Sequence, residues 1–138
     1  MIRCRPEILP ASDRERAERR NGMVFKGIGR TFSTENEQQY ETIGAFWDSL
    51  SAEYGLENLQ GLGYGWTDRS IEYVIGLKTG VIDGADRAVE LPDEGWTTVT
   101  GRTECLSRIY EEIWRGGRLR YEIERFTDSG DCEIRYLR

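Results

Sequence analysis

The residues that could do chemistry in this chain are carboxylates and aromatic side chains, because its 138 residues include no histidine. A Ser-His-Asp triad, a Cys-His pair and a histidine-ligated zinc are therefore excluded. The sharpest candidate is Glu124, on a predicted strand near the C-terminus. A carboxylate in an aromatic cleft is partly desolvated, which favours either its protonation or a cationic ligand that neutralises it. The competing interpretation is a surface glutamate that pairs with Arg120 or Arg125.

Tyr64 is the predicted partner of that carboxylate, because its small neighbours Gly63 and Gly65 permit close approach of a ligand or backbone. Tyr73 and Glu72 alternate on a strand, so only one of them can face the same cleft. The other aromatic candidates for ligand contact are Trp47, Trp66, Trp96, Trp114 and Phe126. Aromatic residues at helical spacing are more typical of a packed core than of a ligand cage.

Composition and charge narrow the class of protein. With 38% hydrophobic and 32% charged residues, the chain has the composition of one globular domain. Its net charge of −6 argues against a nucleic-acid partner, because phosphates demand a basic surface. The sequence has no apolar run of about 18 residues and no signal-peptide pattern, which predicts a cytoplasmic protein without a membrane partner.

The three cysteines are odd in number and lack the spacing of a metal site. We therefore predict that Cys4, Cys105 and Cys132 are free thiols in a reducing compartment. The acidic residues between Asp83 and Glu94 do not match a calcium loop, and we predict neither a metal site nor a cofactor.

Residues 1–22 are predicted to be an extension, either disordered or carrying a short exposed helix, and residues 23–138 to be the domain. The domain shows the same order of elements twice: strand, helix, strand, turn, strand. Thr34 with Glu37 is typical of a capping box before the first helix, and Thr103 is the predicted N-cap of the second. Residues 83–95 are predicted to be a connection between the halves.

The repeated order suggests an internal duplication. Trp66-Thr67-Asp68 occupies the first hairpin turn as Phe126-Thr127-Asp128 occupies the second. Two βαββ units related by a pseudo-twofold axis would place their sheets side by side, with both helices behind and a cleft near the axis. Equivalent positions would then share this cleft, which predicts that Tyr64 faces Glu124 across it.

The order and spacing of several short motifs resemble the GyrI-like family. These small-molecule-binding domains stand alone or form the effector domains of MerR- and AraC-type multidrug-responsive regulators. The motifs that carry the resemblance are Phe25-x-x-Ile28-Gly29, Ile43-x-x-Phe46-Trp47, Leu62-Gly63-Tyr64-Gly65, Ile71-Glu72-Tyr73-x-x-Gly76, Pro92-x-x-Gly95-Trp96, Tyr110-x-x-Ile113-Trp114 and Ile123-Glu124-Arg125-Phe126.

The resemblance implies an α+β fold of the GyrI-like or SHS2 type. Its features would be a tandem pseudo-twofold βαββ repeat, an antiparallel sheet with two helices packed on one side, and a central ligand cleft. It also implies a hydrophobic, often cationic ligand, with Glu124 at the base of an aromatic cage. The chain departs from the family at Phe126, where tyrosine is common, and in its short segment after Trp114. No helix-turn-helix fits into the first 22 residues, which predicts a stand-alone member.

These inferences favour a protein that binds a hydrophobic, cationic small molecule. They leave open whether the protein forms a homodimer. One alternative is an enzyme that hydrolyses strained, cyclopropane-type electrophiles. In that enzyme Glu124 would activate water and Tyr64 would stabilise the developing oxyanion. A second alternative is a protein-interaction module that inhibits DNA gyrase, as the namesake members of the family do.

Overall fold

A computed structural model of the chain describes residues 7–9 and 23–138. Within these residues the chain forms two α-helices and eight strands. The helices are α1 (Gln39–Tyr54) and α2 (Leu106–Arg115). The strands are β1 (Glu7–Leu9), β2 (Met23–Ser33), β3 (Leu59–Tyr64), β4 (Ser70–Leu77), β5 (Arg87–Leu91), β6 (Thr97–Arg102), β7 (Tyr121–Phe126) and β8 (Asp131–Leu137). The predicted α+β class is confirmed.

The seven strands from Met23 onward form one antiparallel sheet, in the order β6-β8-β7-β3-β4-β2-β5, and β1 adds to its β6 edge. Strands β3 and β7 meet at the centre, where Gly61 lies opposite Glu124 and Gly63 lies opposite Glu122. The triplet β6-β8-β7 therefore lies on one side of this junction, and the triplet β3-β4-β2 lies on the other.

Both α-helices of the described residues pack on one side of the sheet, which we call the helix face. Trp47 and Leu50 of α1 share a single core with Ile109 and Ile113 of α2. Helix α1 contacts β2 and β4, whereas α2 contacts β6. The central strands β3 and β7 consequently lie between the regions that the two helices cover.

The other side of the sheet, the opposite face, carries a second core. Leu62, Val74 and Ile123 from the central strands pack there with Leu91 and Trp96. Residues 91 to 97 can reach about 20 Å, whereas six flat strand-to-strand steps from β5 to β6 would need about 29 Å. The sheet must therefore curl, and its curvature brings these apolar residues together.

The bend is visible in β2, which pairs with β5 as far as Gly27 and with β4 from Ile28 onward. A Cβ atom at Gly27 would collide with the backbone of Ile75. Glycine is thus required where the strand changes partners.

Several local predictions need correction. Thr34 and Thr103 make no capping hydrogen bond, because a 3₁₀ turn precedes each α-helix and moves its start to Gln39 or Leu106. The 3₁₀ turn before α1 does not continue into that helix, because Asn36 has a φ of 52°, outside the right-handed helical region. The expected connection contains β5, which pairs with β2.

The predicted extension includes β1, whose Glu7 lies opposite Thr100 of β6. The helix expected at 13–20 lies outside the described residues. In contrast, the hairpin that links β3 to β4 is observed, and helix α1 ends as expected at Gly55, with a φ of 86°.

Candidate functional site

Two carboxylates from β7 lie at the centre of the helix face. Glu122 and Glu124 are two residues apart on one strand, so their side chains share a face, and each is only 7% exposed. Their neighbours on β3 are Gly63 and Gly61. A Cβ atom at Gly63 would lie 2.8 Å from Oε1 of Glu122. The glycines of β3 therefore make the room that these two buried side chains occupy.

Glu124 ends a hydrogen-bonded chain that begins on helix α1. The indole Nε1 of Trp47 donates to the hydroxyl of Tyr73 at 2.8 Å. The Tyr73 hydroxyl in turn donates a short hydrogen bond to Oε1 of Glu124. A Cβ atom at Gly61 would collide with this hydroxyl, so the lack of a side chain at Gly61 makes room for these hydrogen bonds. Elements α1, β4 and β7 thus position one oxygen of Glu124.

Glu122 and Tyr110 are less well satisfied. Neither Oε2 of Glu122 nor the hydroxyl of Tyr110 has a hydrogen-bond partner among the described residues, although both atoms are buried. The Tyr110 hydroxyl lies close enough to both carboxyl groups to lower their pKa values somewhat. Native proteins satisfy most buried polar atoms, so we expect a partner for these two atoms from a water molecule or a ligand group.

The electrostatics of the site favour a proton or a cation. Burial, followed by repulsion from Glu124, raises the pKa of Glu122 well above its ordinary value. Burial also raises the pKa of Glu124, against the lowering effects of the hydrogen bond from Tyr73 and of the nearby Tyr110 hydroxyl. Among the described residues no lysine or arginine pairs with either carboxyl group. Positive charge must therefore come from a proton or from outside the described part of the chain.

Aromatic rings lie on the same face of the sheet as this carboxylate pair. Trp47 meets Phe126 edge-on, with 5.0 Å between ring centroids. Trp66 and Trp114 form a second edge-on pair at 5.3 Å, and Trp114 remains 36% exposed. Of the predicted ligand contacts, this face brings together Glu124, Trp47, Tyr73, Trp66, Trp114 and Phe126.

Two predicted contacts lie elsewhere. Tyr64 is opposite Tyr121 in the sheet and packs against it in the core of the opposite face. Trp96 belongs to the same core and donates a hydrogen bond to the carbonyl oxygen of Pro92 at 2.8 Å. The prediction that Tyr64 faces Glu124 is therefore wrong, because side chains alternate between the faces of a strand. The hydrolase pairing of these two residues loses its geometric basis.

Glu122 and Tyr110 were not among the predicted site residues. A signal for Glu122 was present, since residues i and i+2 of a strand share a face and Glu124 was already a candidate. The glycines at 61 and 63 repeat this spacing and mark the space opposite. Tyr110 was recognised only as part of an apolar helix face, because its register against β7 depends on tertiary packing.

A surface cleft of about 570 Å³ lies at another place, along the ends of β6, β7 and β8. Phe126 and Cys132 contribute to its wall together with polar residues such as Lys78 and Arg125, but Glu122 and Glu124 do not line it. In the described part of the chain, no group of three or more acidic or cysteine side chains is placed to hold a metal ion.

The cysteines differ from one another. Cys105 is disulfide-bonded, so the prediction of a free thiol there is wrong. Cysteine count and spacing could not reveal this, because they do not say which residues meet in space. Cys132 is free and buried, and burial followed by the charge of Glu124 raises its pKa to about 11. Cys4 lies outside the described residues.

None of the helices in the described residues combines the length and the apolar character needed to cross a membrane. No family model matches the sequence, and no curated protein matches it.

Two solved structures are similar in fold. An integron cassette protein from the mobile metagenome of Vibrio cholerae gives a TM-score of 0.62 at 13% identity, covering 96% of this chain and 94% of that chain. A candidate bacterial transcription regulation protein from Staphylococcus aureus gives a TM-score of 0.54 at 15% identity, covering 99% of this chain and 97% of that chain. At these identities the comparisons establish the fold that the proteins share.

Proposed function

We propose that this protein is a GyrI-like ligand-binding domain that holds a hydrophobic organic cation against Glu122 and Glu124. The observation that carries the proposal is a pair of carboxylates, each 7% exposed, with no basic partner among the described residues. Burying an uncompensated charge is costly, and a cationic ligand would remove this cost for one of them.

The strand order supports the family assignment within this proposal. The triplets β6-β8-β7 and β3-β4-β2 meet at the β7–β3 junction, and each triplet has its own α-helix. A duplicated βαββ unit with a pseudo-twofold axis between β7 and β3 would have this arrangement. The carboxylate pair lies next to that axis, where a ligand would contact both halves.

The aromatic residues supply the walls of the proposed site. Trp66 and Trp114 form an edge-on pair that is partly exposed, and we place the ligand entrance there. A cation over an aromatic ring gains about 0.5–2 kcal/mol in addition to the pairing with the carboxylates. Binding needs only the carboxylate pair and these aromatic walls, so we favour a binding protein over an enzyme.

The experiment compares two xanthene dyes of similar shape, the cation rhodamine 6G and the anion fluorescein, by fluorescence anisotropy. We expect the wild-type protein to bind rhodamine 6G and to discriminate against fluorescein. The double substitution Glu122→Gln with Glu124→Gln should weaken rhodamine 6G binding at least about tenfold, which corresponds to about 1.4 kcal/mol.

The matched control is Glu72→Gln. Glu72 lies on the opposite face, where it pairs with Arg87 at 2.6 Å. We expect this variant to bind rhodamine 6G with wild-type affinity. Unchanged affinity in the double variant, or equal affinity of the wild type for the two dyes, would overturn the proposed function.

A further inference from the structure

The carboxylate pair has too few partners to hold two negative charges. Glu124 accepts a hydrogen bond from Tyr73, but Oε2 of Glu122 accepts none from the described residues. Both side chains are buried to the same degree, two residues apart on one face of β7. Two like charges at this separation and depth repel each other strongly, and protons then leave the pair in two separate steps.

Among the described residues, the titratable groups that interact with the pair are all acids. Strand β4 contributes Tyr73, helix α2 contributes Tyr110, helix α1 contributes Tyr40 near Glu122, and strand β8 contributes Cys132 near Glu124. Each of these groups is neutral when protonated, and burial is the first cause that raises the pKa of each. None of them can compensate a carboxylate charge with a charge of its own.

We propose that the ligand-free site holds one proton between Glu122 and Glu124, and that a bound cation displaces it to solvent. This inference rests on the proposed function. In the exchange the carboxyl O–H bond of Glu122 breaks, the proton passes to water, and the new carboxylate pairs with the ligand. The charge of the site is the same before and after binding, because one positive charge replaces another.

The exchange makes affinity depend on pH in a defined direction. Between the pH values at which the ligand-free pair gives up its first and its second proton, each unit of pH should strengthen cation binding about tenfold. Above the second of these pH values the affinity should be constant. Glutamine at position 122 removes the exchangeable proton, so the Glu122→Gln variant should bind with less dependence on pH.

The test is isothermal titration calorimetry of rhodamine 6G into the full chain, in phosphate and in Tris at the same pH. These buffers differ in ionisation enthalpy, so the difference in heat counts the protons released. We expect about one proton per bound dye for the wild type and for the control Glu72→Gln, and almost none for Glu122→Gln.

The outcomes separate the two proposals. Binding of rhodamine 6G with the same heat in both buffers would overturn proton exchange and leave the proposed function intact. Absence of binding at every pH between about 5 and 8 would overturn both. Carbon-13 NMR of the glutamate carboxyl groups measures their protonation state in the ligand-free protein. Two ionised carboxyl groups at positions 122 and 124 throughout that range would also overturn the exchange.

Discussion

Replacing Glu122 with glutamine should stabilise the protein at high pH and leave its stability at low pH almost unchanged. Burial first, and the charge of Glu124 second, raise the folded-state pKa of Glu122 well above its unfolded value. Such a group binds more protons in the folded state than in the unfolded state. Its favourable contribution is therefore complete below the unfolded pKa and is lost as pH rises through the folded pKa.

The structure sets the magnitude of this effect. Oε2 of Glu122 is buried without a hydrogen-bond partner in the described part of the chain, and an unsatisfied buried group costs about 1–3 kcal/mol, or more when it is charged. Glutamine resembles a protonated glutamate in shape and keeps a polar atom at this position, so it removes only the additional cost that belongs to the charge. We therefore expect the free energy of unfolding at about pH 8 to rise by about 1–3 kcal/mol. For a chain of this length that corresponds to about 3–4 °C in Tm per kcal/mol.

Urea denaturation at several pH values measures the effect, with Glu72→Gln as a control of opposite sign. Burial acts to raise the pKa of Glu72, but hydrogen bonds from Arg87 and Thr31 and the charge of Arg87 lower it. The control should lose at most about 1 kcal/mol at neutral pH, because the ion pair is partly exposed, and this loss should vanish as pH falls through the folded pKa. A destabilised Glu122→Gln protein at pH 8, or an effect independent of pH, would refute the reasoning.

Two further predictions concern packing and thiol chemistry. Gly63→Ala should destabilise the protein by about 1–3 kcal/mol in urea, because the new methyl group would lie 2.8 Å from Glu122 Oε1. Gly44→Ala, in helix α1 with no atom near the new methyl group, should stabilise it by about 0.5–1 kcal/mol, and equal effects at the two positions would contradict the packing argument. Cys132 should resist an added alkylating reagent at about pH 8 until the protein unfolds, since it is 4% exposed and burial raises its pKa to about 11. Mass spectrometry of the labelled peptides would detect reaction in the folded state, which would count against the described packing.

Much of the fold could be predicted from local patterns. The period of apolar residues located both helices of the described chain, and turn residues located the hairpin that joins β3 to β4. Helix starts were predicted less well, since Thr34 and Thr103 have capping chemistry but sit before 3₁₀ turns. Strand β5 was missed because five residues in a long connection carry little periodic signal, and their pairing with β2 is a tertiary effect.

The candidate site could be predicted only in part. Glu124 was predicted because it lies two residues before Phe126 in the second half of the repeat and because the family resemblance implies an acidic residue there, and its burial agrees with that expectation. The pseudo-twofold relation predicts Tyr64 on the face of Glu124, but the alternation of side chains along β3 places Tyr64 on the opposite face. The register of β3 against β7 is fixed by the pairing of Gly61 with Glu124 and of Tyr64 with Tyr121. Register depends on contacts between strands, which a single sequence does not display.

The glycines of β3 show why the carboxylate pair calls for a function. Leu62 and Tyr64 pack in the opposite face, whereas Gly61 and Gly63 leave space on the helix face for Tyr73 and Glu122. Apolar side chains in place of buried charges are often neutral or stabilising, so stability alone does not explain two buried glutamates at this position. Local rules of packing tend to be broken at functional sites. A cation that neutralises the pair would offset the energetic cost of burying two carboxylates, and the dye experiment tests that explanation directly.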